Sequence, residues 1–298
     1  MHCHLDGAVR PDTAAELADD QGVDLPRPLR LVAPGSCPSQ AAYIAYFDDA
    51  IAVLQTEESL ERSALELCLD SAADGIDYLE VRWAPRLHLR TGLTVERVIE
   101  AVLRGLAQAP ITAVAIACAM RHDSVQDNVA LARTAGSFGG RGVVGFDLAG
   151  DEARCPAEPQ RPAFEAARAA GLHLTCHAGE AGLPESVEEA IGLGVERIAH
   201  GVIGARRPEI VERIRSEGVV LDVCPSANWK CKAVPSLADH PLPRLLRAGV
   251  LCTVSTDSRT VADTTLSREF ELCVSEMGVS EAELAEMDRI ARRAAFNR

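Results

Sequence analysis

Short apolar runs rich in Val and Ile recur along the chain, each separated from the next by a longer stretch whose apolar positions repeat at helical spacing. The runs are Asp77–Pro85 (DYLEVRWAP), Ile111–Arg121 (ITAVAIACAMR), Val143–Gly150 (VVGFDLAG), Leu172–Glu180 (LHLTCHAGE), Arg197–Gly201 (RIAHG), Val219–Asn228 (VVLDVCPSAN) and Leu251–Ser258 (LCTVSTDS). Near-continuous apolarity over so few residues predicts strands covered on both faces, as in a parallel sheet. The intervening stretches read as helices. One runs from a cap at Thr56, with Ser59 as an alternative cap, to Gly75. Another is capped by Thr94 and carries Glu96 and Glu100, and a third begins at Pro162 and stops on Gly171.

Seven such strands and an opening segment around His2 to His4 make eight, and eight βα units in 298 residues is the arithmetic of a TIM barrel. The prediction is a single α/β domain over residues 1–298, a (β/α)8 TIM barrel with a helical insertion after strand one. The insertion is Arg10 to Ala50, which contains Pro26, Pro28, Pro34 and Pro38, and it is expected to form a helical lid over the barrel mouth. The rival is a doubly wound sheet with a nucleotide crevice. Its only glycine signature, Gly140-x-Gly142-x-x-Gly145, precedes a strand, whereas the fingerprint has to follow one and open a helix.

Composition narrows the partners. Hydrophobic residues make up 47% and charged residues 25%, enough for a large core. The chain has no apolar run of about 18 residues and no basic-then-apolar leader, so a cytoplasmic protein without a membrane segment is expected. Thirty basic against 44 acidic residues leave a net charge of −14, which disfavours nucleic acid or an anionic membrane surface and points to a small-molecule substrate. The ten cysteines are scattered through apolar segments and predict buried, reduced thiols. Cys224 and Cys231 bracket PSANWK without zinc-knuckle spacing.

In such a barrel the chemistry lies at the C-terminal strand ends, and the unusual polar residues collect there. They are His2, His4 and Asp6 at the first strand, Gly150 and Asp151 at the fourth, His177 and Glu180 at the fifth, His200 at the sixth and Asp257 at the eighth. His2 and His4 are two residues apart, so on a strand both rings face one way and can reach one ion. Zinc accepts imidazole nitrogen and carboxylate oxygen while keeping a position open for water, and His177 and Asp257 can complete the set. His88, His122, His173 and His240 stand in helices, loops or strand starts and read as structural. Asp6 and Asp151 also fit simple turn or helix caps.

Taken in order, HCHLDGAVRP, GFDLAGDE, HAGE, AHG, CPSAN and STDS resemble the adenosine deaminase family of metal-dependent amidohydrolases, and the likeness extends through FDDAIAVLQT and ADGIDYLEVRWAPRLH. The resemblance implies a barrel holding one zinc ion and hydrolysing adenosine, or a related aminopurine, to the 6-oxo compound and ammonia. By motif it implies His2, His4, His177 and Asp257 as metal ligands, with Asp257 also catalytic. Glu180 matches the acid that protonates the purine ring, and His200 the residue that orients and polarises the metal-bound water. Gly150 matches the backbone contact to the purine and Asp6 the contact to the ribose, with His4 and Ser258 also expected against the substrate. The chemistry agrees: zinc brings the pKa of its water to about 7, and a placed carboxylic acid can protonate the ring as its aromaticity is lost. The unrelated zinc deaminases with H-x-E and P-C-x-x-C are excluded, because no Pro-Cys pair occurs.

Three departures from the family pattern set further expectations. The first strand and the C-terminus read as truncated. A start upstream of Met1 or a stunted strand follows, with His2 and His4 on fraying backbone, and stability is expected to suffer where AARRAAFNR ends without a further closing helix. Ser258 stands where a second aspartate or an asparagine is common, which predicts a weaker or water-mediated substrate contact. The alternatives to adenosine are therefore another aminopurine such as adenine or a modified adenosine, a different amide or amidine, or a truncated relative of weak or no activity.

Overall fold

The computed structural model describes residues 1–297. Its eight strands are β1 Cys3–His4, β2 Tyr78–Trp83, β3 Thr112–Met120, β4 Val143–Ala149, β5 His173–Ala178, β6 Arg197–His200, β7 Val220–Val223 and β8 Cys252–Val254. Neighbours pair in parallel and in chain order. A parallel bridge between Cys3 and Asp257 joins the last strand end to the first. There the His4 N–H donates to the Asp257 carbonyl at 2.6 Å and the Asp257 N–H to the His2 carbonyl at 3.1 Å, so the sheet closes into the expected barrel.

Each apolar run holds its strand, with one correction. Val219–Asn228 does not stay extended: the strand stops at Val223, and Pro225, which has no N–H for a ladder, opens the short helix Pro225–Lys230. Between strands, capping residues start the helices. Thr56 and Ser59 act together: the Thr56 side chain accepts from the Ser59 N–H and Ser59 reciprocates, a capping box that opens Glu57–Ala73.

The stunted first strand is present, and its backbone is held on both sides rather than frayed. The Leu5 N–H donates to the Arg82 carbonyl of β2 at 2.9 Å, and the His2 N–H donates to Ser255 Oγ at 3.2 Å. At the other end, helix Glu281–Ala294 packs on β8 and Phe296 is buried at the base of the barrel. Its N–H donates to Glu80 Oε1 at 2.8 Å; its ring lies 3.7 Å from the Arg197 guanidinium carbon and stacks on His173 at 4.6 Å. The last described residues thus fill the base.

The inside of the barrel is ionic. Arg82 lies between Asp147 at 3.2 Å and Asp222 at 3.6 Å, and Arg197 pairs with Glu80 and, at 3.2 Å, with Asp222. All five are fully buried, so each depends on the others for compensation. The predicted insertion divides in two. Helix Pro11–Gln21 lies on the flank, where Thr13 donates to Glu66 at 2.7 Å, whereas the short helices Gln40–Ile44, Ala45–Phe47 and Asp48–Val53 put Gln40, Tyr43, Phe47 and Ile51 on the mouth. All ten cysteines are free, and all but Cys155 are buried. Among the described residues no helix is long and apolar enough to cross a membrane.

Candidate metal centre and active site

Strand ends far apart in sequence bring four ligand atoms to one point. His4 Nε2 lies 3.1 Å from His2 Nε2 and 3.1 Å from His177 Nε2. Asp257 Oδ1 lies 2.9 Å from His2 Nε2 and 3.5 Å from His4 Nε2. Four ligands at about 2.0 Å from a zinc ion stand about 3.3 Å from one another, so these four spacings fit ligands of one tetrahedral ion. Burial pushes His2 well below its ordinary pKa and His4 down to about 3. Both rings are therefore neutral at pH 7, and a site where neutral nitrogens and a carboxylate oxygen crowd together is completed by a cation. The residues present fit a divalent metal.

The backbone is bent to make this possible. Asp257 and His200 both hold positive φ, 60° and 73°, a conformation that costs non-glycine residues energy and collects at functional sites. His200 Nε2 faces the cluster and lies 3.6 Å from Glu180 Oε1; its other nitrogen, Nδ1, is 3.0 Å from Asn228 Nδ2. Gln40 from the lid donates to Glu180 Oε2. Burial, and then the charge of Asp257, push the Glu180 carboxyl up to about 7.

A cavity opens over the cluster. Its lining brings Gly150, Asp6, Glu180 and His200 together with His4, His177 and Asp257, and its far wall is apolar, formed by Tyr43, Phe47, Leu87 and Met120 among others. Gly150 holds φ 108°, a left-handed turn that leaves its backbone bare at the cavity edge. Asp6 Oδ1 is buried without a hydrogen-bond partner, and burial with the Asp257 charge pushes this carboxyl also up to about 7.

One residue stands elsewhere than expected, and a second takes the simpler of its two expected roles. Ser258 does not line the cavity; it is buried, and its hydroxyl donates 3.1 Å to Asp257 Oδ2, so it steadies the candidate ligand. Asp151 Oδ1 accepts from the Arg154 N–H at 3.2 Å, the turn role that its motif also allowed.

Other residues come into view only with the fold. Asp147 Oδ2 lies 2.9 Å from His177 Nδ1. The buried Glu152 accepts from three successive backbone N–H groups, at Gly179, Glu180 (2.9 Å) and Ala181 (2.8 Å), and from the Ser186 hydroxyl. Both sit inside GFDLAGDE, a motif whose acidic residues were visible but whose contacts were not. Gln40, lying in the insertion, gave no signal at all.

The family model described as adenosine deaminase matches residues 1–298. An adenosine deaminase of Enterococcus faecalis is 36% identical over 305 residues, covering 99% of this chain and 90% of that one. Among solved structures, an adenine deaminase from Arthrobacter aurescens superposes with a TM-score of 0.89 at 26% identity, over 100% of this chain and 93% of that chain. The N6-mAMP deaminase of Arabidopsis superposes with a TM-score of 0.90 at 25% identity, over 100% and 92%.

Proposed function

This chain belongs to the adenosine deaminase family, and from that premise we propose that it hydrolyses adenosine to inosine and ammonia with zinc as its cofactor. The observation that carries the choice of substrate is Asp6. Its Oδ1 is a buried acceptor with no partner, in the same cavity as the candidate ligands. An unpaired buried acceptor costs about 1–3 kcal/mol, and a ribose hydroxyl would remove that cost. Free adenine has no such group. Among the described residues no lysine or arginine lines the cavity, so a nucleotide phosphate would enter without a counter-charge from them and beside a carboxylate.

His2, His4, His177 and Asp257 would hold the metal. When bound, zinc supplies the Lewis acidity that brings the pKa of a water molecule to about 7. The protein's own residues do the rest. With Gln40 donating to Oε2, the proton of Glu180 resides on Oε1, poised for a ring nitrogen of the purine. Such a positioned acid typically contributes ~10²- to 10⁴-fold in rate. His200 stands beside that oxygen, Gly150 offers backbone to the base, and the apolar wall excludes water from the ring. The firmly bonded first strand supports an active enzyme over a decayed relative.

The test is a comparison of adenosine, adenine and AMP by loss of purine absorbance and release of ammonia, on protein whose zinc content has been measured. Adenosine should give the highest kcat/KM, with close to one zinc ion per chain. Preference for adenine or AMP, or full activity without metal, would overturn the assignment.

A further inference from the structure

His200 poses an ambiguity that the site alone leaves open. Ligand atoms of His2, His177, His200 and Asp257 all lie within 4.8 Å of one another, so His200 competes geometrically with His4 for a place around a metal. A ring nitrogen can ligate, or act as a base, only where it carries a lone pair rather than a proton. Which of its nitrogens bears the proton is decided behind it.

A chain of three contacts leads from His200 to the backbone. Asn228 Nδ2 is 3.0 Å from His200 Nδ1. Asn228 Oδ1 is 3.3 Å from Nε2 of His240. Finally, the backbone N–H of Leu242 lies 3.1 Å from Nδ1 of His240. Side-chain amides and imidazoles can be turned or re-protonated to suit their surroundings, but a backbone N–H only donates. It therefore requires His240 Nδ1 to accept. His240 is buried and pushed down to about 3 by that burial, so it holds a single proton, which falls on Nε2 and is donated to Asn228 Oδ1. The Asn228 amide is thereby fixed with its NH2 towards His200. The opposite amide orientation would leave His240 with two accepting nitrogens and no proton.

We propose that Asn228 and His240 are positioning residues which fix His200 as the tautomer bearing its proton on Nε2. His200 then presents a hydrogen-bond donor to the reaction cavity. It is neither a metal ligand nor a general base, and the fourth ligand position falls to His4. The proton assignment stands on the hydrogen-bond chain alone; its consequence for rate rests on the deaminase reading.

Nitrogen-15 histidine spectra of the intact protein, zinc-free and zinc-loaded, test it directly. His200 should show a protonated Nε2 and an accepting Nδ1 in both states. Asn228→Asp replaces the amide donor by an acceptor, so His200 Nδ1 should gain a proton, and kcat should fall on the order of 10²-fold with KM little changed and zinc retained. His240→Gln, which still has a donor for Asn228, should keep most of the rate, whereas His240→Leu should not. A protonated Nδ1 in the unaltered protein, or direct zinc coordination by Nε2, overturns the proposal. So does an Asn228→Asp protein with unchanged spectrum and kcat. Failure of the deaminase reading would show separately, as absent turnover with the His200 signature intact.

Discussion

Nδ1 of His177 lies 2.9 Å from Oδ2 of Asp147, which is itself 3.2 Å from Nη1 of the buried Arg82. Burial would push the Asp147 carboxyl up, but His177 and Arg82 outweigh it and hold it well below the usual carboxylate range. Its negative charge, 2.9 Å from Nδ1, favours the His177 proton on that nitrogen, which leaves Nε2 free for a metal. Partners of this kind are typically worth 10- to 100-fold in metal affinity. Asp147→Asn should weaken zinc binding by about that factor, measured by competition with a coloured chelator. Unaltered affinity would show that His177 is oriented by something else.

The Glu180 carboxyl, pushed to about 7, sets an alkaline limit. Its acid form is present below that value and is lost as pH rises through it, so kcat/KM for adenosine should decline on the alkaline side. A divalent metal, when bound, would offset the Asp257 charge and move the break downwards. Glu180→Gln should remove this limb and lower kcat by ~10²- to 10⁴-fold while zinc content stays the same. A pH profile that keeps its alkaline limb in the variant would assign the proton to another group.

How much of this was legible beforehand depended on whether the signal was local. Seven strands announced themselves as apolar runs, and His2, His4, His177 and Asp257 could be read because each lies in or within a few residues of a strand. CPSAN was misread as strand because the apolar run continued past the point where Pro225 breaks the ladder. The frayed first strand was expected because its bonds to Arg82 and Ser255 come from residues about 80 and 250 positions away. Ser258 carried a family position but not its rotamer, and only packing turns its hydroxyl to Asp257. His240 looked merely structural until the fold placed it behind Asn228.

The carboxylate of Glu152 gathers the N–H groups of Gly179, Glu180 and Ala181 around itself, and these carry the backbone from which Glu180 projects. Glu152→Gln turns an NH2 towards part of this nest, and the loop has to shift. A displacement of about 1 Å at a reacting group can cost on the order of 10²-fold. The variant should lose about that much kcat with its zinc intact. Normal kcat would mean the loop is held by packing alone.

Asp6 should separate nucleoside from base. Asp6→Ala removes the unpaired acceptor at the cavity. A hydrogen bond to a charged group is worth about 1.5–3 kcal/mol, roughly 10- to 100-fold in kcat/KM. Adenosine turnover should fall by that factor, while any trace activity on adenine should be unchanged or slightly higher. An equal loss on both substrates would move Asp6 from ribose recognition to the architecture of the site.

Phe296 lies at the opposite end of the barrel from the chemistry, so its loss should affect stability without affecting rate. The ring is sandwiched between the Arg197 guanidinium and the His173 imidazole, and its N–H satisfies Glu80, the partner of Arg197. Phe296→Ala removes the ring and opens a cavity beside a buried ion pair, which typically costs about 3–5 kcal/mol. At roughly 2–4 °C per kcal/mol for a chain of this size, the thermal midpoint should fall by about 6–20 °C. The backbone N–H to Glu80 is retained, so the ion network keeps its compensation and the metal cluster above it keeps its shape. Zinc content and kcat at 25 °C should therefore match the unaltered protein. A fall in kcat with an unmoved midpoint would mean that the base of the barrel communicates with the metal centre through Arg197 and Asp222 rather than merely supporting it.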